Sequence, residues 1–421
     1  MARKMKDSGI EWIGEIPEGW SIARGKHILT LLQRAVFPTD GVITCFRDGE
    51  VTLRSNRRED GFTVSLKEIG YQGIEPGDLV VHGMDGFAGS IGISDSRGKS
   101  SPVLVVLDSS QDKKYLMYYL RSMAYNNVFL ALSTGIRVRS CDLKWNKLAD
   151  LLYLVPPIVE QHKLVSFLDE KCSEIDAMLS KTHASIEKYK KLKQAVITQA
   201  VTKGVRGKRE MKDSGVEWIG EIPKEWVCEK IKYATSISRG LFNHRPRNDE
   251  RYYNGKYPFI QTSDVANATK YIVSYSQTLN ELGKSVSKEF PKGTLTMTIA
   301  ANVGDVAILN FDAYFPDSVV GFIPNKNIRT LYLFYVFSAM KDQFTRTAIK
   351  NTQLNLNIDR VKETFIPVTL SVNEQCEIEN YLESKCAEID GLIAKKEQLV
   401  KELESYKKSL IYEVVTGKRE V

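Results

Sequence analysis

The stretch EQHKLVSFLDEKCSEIDAML at residues 160–179 recurs as EQCEIENYLESKCAEIDGLI at residues 374–393, with eight of twenty positions identical. In both copies apolar residues return at steps of three and four, which predicts a long amphipathic helix with a nearly heptad apolar stripe. A helix of this length cannot bury such a stripe alone. We therefore expect the two copies to pack against each other.

The two predicted helices have equal length. Glu160 lies 41 residues before Val201, and Glu374 lies 41 residues before Val415. A helix of about 42 residues is roughly 60 Å long. The apolar stripe of the second copy is expected to include Leu399, Leu403, Tyr406 and Leu410. The side chains expected at the helix interface are Leu168, Ile175, Leu179, Ile186, Leu382, Ile389, Ile393 and Leu403.

The order of the repeats favours pairing within one chain. Val155-Pro156-Pro157 ends irregular structure before the first helix, and Ser371-Val-Asn-Glu374 is a capping-box pattern that opens the second. Gly-Lys-Arg-Glu occurs at residues 207–210, after the first helix, and returns at residues 417–420, after the second. Antiparallel packing would bury both stripes and leave one globular region at each end of a two-helix rod.

A second repeat precedes each globular region. MKDSGIEWIGEIPEGW at residues 5–20 returns as MKDSGVEWIGEIPKEW at residues 211–226, matching at thirteen of sixteen positions. Turn residues surround Trp and Ile, which favours an extended strap that an aromatic side chain anchors to the end of a helix. Ligand stacking by Trp12 and Trp218 is the alternative interpretation.

The composition is that of a globular protein with more than one domain. Its 421 residues exceed one ordinary core, so two or three domains are expected. The net charge of +7 is compatible with a polyanionic partner and with an ordinary, slightly basic protein. Six cysteines without a C-x-x-C pair predict neither a zinc site nor disulfides. Because the sequence has no long apolar run, we expect neither a signal peptide nor a membrane span. The expected location is the cytoplasm.

Two globular regions of mixed α+β type are expected. The first has short β-like runs and then a helical patch at Lys114–Leu132, and the second has similar runs before a helix at Thr330–Met340. The expected domains are the first globular region at 1–155, the first helix at 156–204, the second globular region with its strap at 205–370, and the second helix at 371–421.

The sequence contains no convincing catalytic pattern. Gly92 and Gly98 precede Lys99-Ser100, but five residues separate these glycines where a phosphate loop has four. Neither H-E-x-x-H nor G-x-S-x-G occurs. Val155-Pro156-Pro157 lacks the acidic residue or Asn of an adenine-methyltransferase loop. The sequence therefore predicts a binding protein.

Both globular regions have Arg, Asn, Gln, Ser and Thr in predicted loops. These side chains read base edges or contact phosphates in complexes with DNA. A solvated surface loop is the alternative for any one residue, but matched placement in both halves favours a nucleic-acid interface. The candidates in the first region are Arg34, Arg54, Arg57, Arg58, Thr134, Arg137 and Arg139. The candidates in the second are Arg245, Arg247, Gln261, Thr262, Lys350, Asn351, Thr352, Gln353 and Asn355.

Three motifs of the second region add to the strap and to the duplicated helices with their EQ and EID residues. They are Pro258-Phe-Ile-Gln-Thr-Ser-Asp264, Phe290-Pro-Lys-Gly-Thr294 and Phe315-Pro-Asp-Ser-Val-Val-Gly-Phe322. With them the whole chain resembles the DNA-specificity (S, HsdS-type) subunits of type I restriction–modification systems. The first region keeps the outline of the pattern in Gly77-Asp-Leu-Val-Val81 and Ser133-Thr-Gly-Ile136.

This resemblance implies two α/β target-recognition domains, separated by two long antiparallel helices that form an intramolecular coiled coil with pseudo-two-fold symmetry. Each domain would read one half of a bipartite, asymmetric DNA site, and the helices would set the unread gap. Two methyltransferase subunits would dock on the helices and straps, and motor-nuclease subunits would complete the complex. The chain itself would be non-catalytic. S-adenosylmethionine, ATP and Mg²⁺ would belong to the partner subunits, which would supply adenine-N6 methylation and ATP-dependent cleavage.

Two other functions stay open at this point. A helical scaffold whose two domains bind proteins has the same repeats, and a cryptic nuclease or methyltransferase is the third possibility. The dimensions support a DNA reader, because half-sites one duplex turn apart are about 34–36 Å from each other. A rod of roughly 60 Å can hold two readers at that separation.

Overall fold

The structure, a computed structural model, describes residues 3–57, 68–131, 142–300, 302–347, 349–350 and 354–421. The chain divides into two compact units. Unit 1 comprises Met1–His183 and Glu397–Val421, and unit 2 comprises Ala184–Lys396. Each long helix contributes residues to both units. The mixed helix and sheet content is as expected, whereas the domain limits stay a prediction.

Unit 1 contains a short-stranded antiparallel framework. Its strands are β1 (Met5–Asp7), β2 (Glu15–Pro17), β3 (Ser21–Arg24), β4 (Leu29–Leu31), β5 (Ile43–Cys45), β6 (Val51–Leu53), β7 (Gln72–Ile74), β8 (Leu79–His82), β9 (Ile91–Ile93), β10 (Gly98–Ser100), β11 (Leu104–Ser109) and β12 (Leu152–Val155). Its helices are α1 (Lys113–Tyr125), α2 (Val128–Ala131), α3 (Trp145–Asp150) and the first part of α4 (Ile158–Lys203).

The central sheet of unit 1 has the order β4-β11-β8-β9, with each pair antiparallel. Successive residues of β8 belong to different cores. Leu79 and Val81 pack with α1 and the long helices, whereas Val80 packs on the opposite face with Ile43 and Ile74. Because both faces are covered, these strands are apolar runs without a polar alternation.

Unit 2 contains a larger set of strands. They are β13 (Met211–Asp213), β14 (Glu221–Pro223), β15 (Val227–Lys230), β16 (Thr235–Arg239), β17 (Tyr253–Phe259), β18 (Tyr271–Ile272), β19 (Gln277–Leu279), β20 (Glu289–Phe290), β21 (Leu295–Thr298), β22 (Val306–Leu309), β23 (Ala313–Tyr314), β24 (Val319–Pro324), β25 (Ile349–Lys350), β26 (Leu354–Asn355) and β27 (Phe365–Val368). Its helices are α5 (Ile231–Ala234), α6 (Thr262–Asn267), α7 (Glu281–Ser285), α8 (Thr330–Ala339), α9 (Lys341–Thr347), α10 (Ile358–Glu363) and the first part of α11 (Val372–Val415).

Two sheets organise unit 2. The larger has the order β16-β24-β21-β22-β18, and the smaller has the order β19-β17-β23-β20. Leu295 and Met297 of β21 pack against α8, which is apolar along almost its whole length. In β22, Ala307 and Leu309 join a separate core with Phe290 on the other face. The larger sheet is therefore buried on both faces, as in unit 1.

Within each unit, the start of one long helix packs on the end of the other. Lys407 Nζ lies 2.6 Å from Asp176 Oδ1 in unit 1, and Lys193 Nζ lies 2.7 Å from Asp390 Oδ2 in unit 2. The helices are antiparallel in each unit, because residues near the C-terminal end of one helix lie opposite residues nearer the N-terminal end of the other. The buried residues of this seam are Leu164, Leu168, Cys172, Ile175, Leu410, Ile411, Val414 and Val415 in unit 1, and Ile197, Ala200, Val201, Ile378, Leu382 and Cys386 in unit 2.

The helix-interface candidates all lie wholly or partly away from solvent. The buried ones are Leu168, Ile175, Ile186, Leu382 and Ile389, and the partly buried ones are Leu179, Ile393 and Leu403. Leu399 and Tyr406 were wrongly expected in the stripe, since they are 42% and 50% exposed. The stripe instead passes through Val400 and Lys407, one residue later in each case. A shift of one residue turns a side chain by about 100° around the helix axis, which directs Leu399 and Tyr406 to the outside.

Each strap is fastened to the start of a long helix through a buried tryptophan. In unit 1, Trp20 Nε1 donates to Glu160 Oε2 at 3.0 Å, and Arg3 pairs with the same carboxylate. The strap residue Trp12 packs between Tyr119 and Tyr412, with ring centroids 6.0 and 6.2 Å away. This packing supports the anchor interpretation of Trp12 over ligand stacking.

Unit 2 repeats this clamp with a more deeply buried carboxylate. Trp226 Nε1 donates to Glu374 Oε2 at 3.1 Å, and Arg209 Nη1 donates to Glu374 Oε1 at 2.6 Å. Only half of the expected capping box forms. Ser371 Oγ accepts from the Glu374 backbone N–H at 3.3 Å, but the Glu374 carboxylate accepts from Arg209, Trp226 and Thr369. The carboxylate therefore binds the strap and does not return to the helix N-terminus.

The glutamine that follows each of these glutamates fastens the globular core. Gln161 Oε1 accepts from the backbone N–H of Asp112, the N-cap of α1, at 2.9 Å. Gln375 Oε1 accepts from the backbone N–H of Arg329, the N-cap of α8, at 2.8 Å. The side-chain amide group of each glutamine also donates to a backbone carbonyl, which in unit 1 is the carbonyl of Pro156. The dipeptide Glu-Gln thus joins the strap, the long helix and the core helix of its unit.

We expect Glu374→Ala to lower the free energy of unfolding of unit 2 by about 3–5 kcal/mol, because it leaves the Arg209 guanidinium and the Trp226 indole N–H buried without their acceptor. Glu377→Ala is the matched control, since Glu377 pairs with Arg206 at an exposed position on the same helix. It should change the stability little, because an exposed ion pair contributes little to folding. Thermal denaturation of both variants measures the difference, and equal melting temperatures would contradict the clamp.

Candidate nucleic-acid interface

Arg34 follows β4 in unit 1 and is held by a buried carboxylate. Its guanidinium binds both oxygens of Asp78, with Nη2 3.1 Å from Oδ1. The Asp78 side chain is 4% exposed, and the same carboxylate accepts from the Glu75 backbone N–H at 2.8 Å. The hydrogen bond from Arg34 to Asp78 raises the pKa of Arg34 above its ordinary value. This candidate therefore has a bidentate partner inside the unit.

Arg54 and Arg57 meet at a cleft of about 650 Å³ in unit 1, which Arg47 and His82 also line. Arg54 Nε donates to Thr44 Oγ1 at 3.0 Å. Arg57 stacks on Phe46 at 4.2 Å from the ring centroid. Its guanidinium lies 2.6 Å from Asp48 Oδ2 and 2.9 Å from Glu50 Oε2. The cleft therefore combines basic, aromatic and acidic groups, of which only the arginines were predicted.

His82, which lines this cleft, has one ring nitrogen bound within unit 1. Its Nδ1 accepts hydrogen bonds from the backbone N–H groups of Met84 and Asp85, at 3.3 and 3.0 Å. Burial lowers the pKa of His82 below its ordinary value, so the ring is neutral at physiological pH. Because Nδ1 is an acceptor, the proton of the neutral ring is on Nε2. His82 and Arg47 were not among the predicted residues, because neither a motif nor a repeat marks them in the sequence.

Arg245 and Arg247 converge on Asp317 in unit 2. Asp317 Oδ1 lies 2.5 Å from Arg247 Nη2, and Oδ2 lies 3.8 Å from Arg245 Nη2. The backbone carbonyl of Asp317 accepts a hydrogen bond from Arg239 Nε at 2.5 Å. Asp317 belongs to the Phe315-Pro-Asp-Ser motif, but its pairing with these arginines could not be inferred from the sequence.

Gln261 and Thr262 lie at the edge of unit 2 to which the Asp317 loop belongs. Strands β17 and β23 pair in parallel through Phe259 and Tyr314, so the segments that follow them leave the sheet at one edge. Gln261 is the N-cap of α6, and its side chain donates to Gln277 Oε1 at 2.8 Å. Thr262 is the first residue of α6. The loop after β17, with Gln261 and Thr262, and the loop after β23, with Asp317, are therefore neighbours in space although they are distant in sequence.

The other candidates lie outside what the structure describes in full. Lys350 and Asn355 belong to the antiparallel pair β25-β26, of which the backbone is described. Arg58, Thr134, Arg137, Arg139, Asn351, Thr352 and Gln353 lie outside the described residues. All DNA-contact assignments, including those of Arg34, Arg54, Arg57, Arg245, Arg247, Gln261 and Thr262, stay predictions.

The described residues contain no group of three or more His, Cys, Asp or Glu side chains placed to hold a metal ion. Among the helices in the described part of the chain, none combines enough length and apolar character to cross a membrane. Burial raises the pKa of the Cys45 thiol to about 12 and also raises the pKa values of Cys172 and Cys386. These thiols therefore stay protonated and serve as packing groups.

Residues 237–402 match the family model of the type I restriction modification DNA specificity domain. The chain is also 23% identical over 431 residues to a protein of Methanocaldococcus jannaschii assigned as the specificity subunit of the type I restriction enzyme MjaX. This alignment covers 96% of the chain and 95% of that protein.

Solved structures agree with this match at the level of the fold. A chain from a study of complex assembly and conformational transition in a type I R-M system has a TM-score of 0.75 at 14% identity, covering 96% of this chain and 99% of that one. The HsdS subunit from Thermoanaerobacter tengcongensis has a TM-score of 0.50 at 14% identity, covering 96% and 98%. The chain therefore contains a type I restriction–modification DNA specificity domain at residues 237–402, and over its whole length it is similar to the HsdS-type specificity subunits of such systems.

Proposed function

We propose that the chain recognises a bipartite, asymmetric DNA site, with one half read by each unit. The observation that carries this proposal is that both units have the same frame, a strap clamped to a long helix, but different candidate base-reading residues. The Trp20–Glu160 and Trp226–Glu374 clamps hold equivalent straps and helices. The candidate arginines of the two units differ, with Arg57 in a cleft of unit 1 and Arg247 beside Asp317 in unit 2. Two units with the same frame and different base-reading residues would recognise half-sites of different sequence.

Two methyltransferase subunits and the motor-nuclease subunits are the proposed protein partners, in the cytoplasm. The specificity-subunit family is non-catalytic, so S-adenosylmethionine, ATP and Mg²⁺ would bind to these partners. The assembled complex would methylate adenine at N6 and cleave DNA with ATP. The repeated straps and helices support two equivalent docking sites for one type of partner.

The long helices are the proposed spacer between the half-sites. Helix α4 has 46 residues and α11 has 44, and a helix rises about 1.5 Å per residue. Their apolar stripes support an intramolecular coiled coil, and the repeats favour pseudo-two-fold symmetry. A spacer of fixed length would keep the number of unread base pairs constant.

We expect DNA binding to weaken steeply with salt. A reader that neutralises six to ten phosphates gives a slope of about −5 to −9 for the logarithm of the association constant against that of the salt concentration. Fluorescence anisotropy with a labelled duplex measures this slope. A protein-binding scaffold, which is the alternative function, would leave the response nearly flat.

Arg57→Ala and Arg247→Ala should each weaken recognition of a different half-site. The loss of one bidentate base contact costs about 1–3 kcal/mol. Arg251→Ala is the matched control, because Arg251 pairs with Asp249 in the segment after Arg247 and its side chain is 77% exposed. Methylation of duplexes altered in one half at a time measures the effect. If both variants changed the same half-site, the assignment of one reader to each unit would be wrong.

Insertion of four residues, about one helical turn, into both α4 and α11 should change the unread gap and leave both half-sites unchanged. Placing the insertions after His183 and after Lys396 keeps the internal contacts of each unit. Mapping methylated adenines in a host that carries the altered gene gives the gap directly. Insertion into α4 alone is the control, and it should destabilise the helix pair. New half-sites with the old gap would refute the spacer role.

A further inference from the structure

The two arginines that share Asp317 differ in how much of each guanidinium is occupied. Arg245 donates from Nη1 to the carbonyls of Phe242 and His244, at 2.7 and 2.8 Å, and turns Nη2 towards Asp317. Within the described residues, the guanidinium of Arg247 has one hydrogen bond, from Nη2 to Asp317 Oδ1. Arg245 is therefore a tie within its loop, whereas Arg247 keeps donors for an outside partner.

Arg247 is held at its backbone and at its side chain. The Tyr253 hydroxyl donates to the Arg247 carbonyl, and Asp317 accepts from the guanidinium. The position of Asp317 depends on a close approach at Gly240, where a Cβ atom would lie 2.2 Å from the Pro316 carbonyl oxygen. The loop that carries Arg247 and the loop that carries Asp317 are thus packed together before any ligand binds.

The free edge of Arg247 has the geometry of a base-reading group. A guanidinium has two edges with a pair of parallel N–H donors each, and both edges include Nη2. A single hydrogen bond at Nη2 leaves one complete edge, which matches the O6 and N7 acceptors of guanine in the major groove. The side chain is 48% exposed, so a duplex can reach it. A guanidinium fixed in advance loses less conformational freedom on binding.

We propose that Arg247 reads a guanine in the half-site of unit 2, and that Asp317 is the positioning residue that holds its guanidinium for this contact. This inference rests on the proposed DNA-reading function and assigns one base contact within it. Arg245, which the sequence presents as an equivalent candidate, has a structural part in the loop.

The test is a selection from duplexes of randomised sequence by the complex of the full chain with its methyltransferase subunits. Arg247→Ala should lose the guanine preference at one position of one half-site, by about 5- to 150-fold. Asp317→Asn should weaken the preference at the same position by about three- to tenfold, because a charge-assisted hydrogen bond becomes a neutral one. Both variants should keep the other half-site, which reports that the complex is folded.

Glu363→Gln is the matched control for the change in charge. Its carboxylate also binds two basic groups of unit 2, Lys230 and Lys232, which lie before the start of β16. Arg239, which contacts the Asp317 carbonyl, lies at the other end of that strand. The selected sequence should not change in this variant. Asp317→Glu, which keeps the charge, should retain more of the guanine preference than Asp317→Asn. In the background of Arg247→Ala, Asp317→Asn should have no further effect.

Three outcomes would overturn the inference. Asp317→Asn could keep the full preference that Arg247→Ala loses, or it could alter a different base pair. Arg247→Ala could weaken all sequences equally and reduce the salt slope, which is the behaviour of a phosphate contact. If Asp317→Asn gives no complex, Arg247→Lys decides. Lysine keeps the charge without the two parallel N–H donors of a guanidinium, so it should weaken the guanine preference at that position, and an unchanged preference would overturn the inference. The proposed function itself fails separately, if the unaltered complex enriches no sequence.

Discussion

The carboxylate at the start of each long helix is the contact on which the rest of the structure depends. Glu160 and Glu374 accept from a buried tryptophan indole and from an arginine near the start of a strap. A buried carboxylate without donors is costly, and so is a buried indole N–H without an acceptor. Strap and helix are therefore ordered together. Since the adjacent glutamine caps the core helix, two consecutive residues connect three parts of each unit.

This arrangement separates the frame from the parts that differ between the units. The hydrogen bonds of Glu160 and Gln161 reach the strap and the N-termini of two helices. They do not involve the edges of the sheets or the loops beyond them, where Arg57 and Arg247 lie. A substitution in those loops changes surface charge and hydrogen bonding without removing a partner from the clamp. One frame can therefore hold readers of unequal sequence.

Much of the frame follows from the sequence, because repetition displays it without any knowledge of contacts. The long helices, the straps and their tryptophans are all visible in this way. A weaker repeat was missed. Tyr115 and Tyr332 lie in the matching runs Tyr-Leu-Met-Tyr and Tyr-Leu-Phe-Tyr. Their hydroxyls donate to the carbonyls of Leu154 and Pro367, at 3.2 and 3.0 Å, on the strands before the long helices. Three identities in a run of four common apolar and aromatic residues do not stand out until the contacts are known.

The candidate interface was harder to predict, because its character depends on pairs that are distant along the chain. Arg34 and Asp78 are 44 residues apart, and Arg247 and Asp317 are 70 apart. In both units the basic side chains are accompanied by carboxylates, so the bulk charge of +7 understates their local concentration. The occupied donors then separate their roles. Both oxygens of Asp78 bind Arg34, and Arg245 donates to two backbone carbonyls, whereas a single hydrogen bond to Asp317 leaves one edge of Arg247 complete. What an arginine can bind is therefore decided by how many of its N–H donors are already used, which composition does not record.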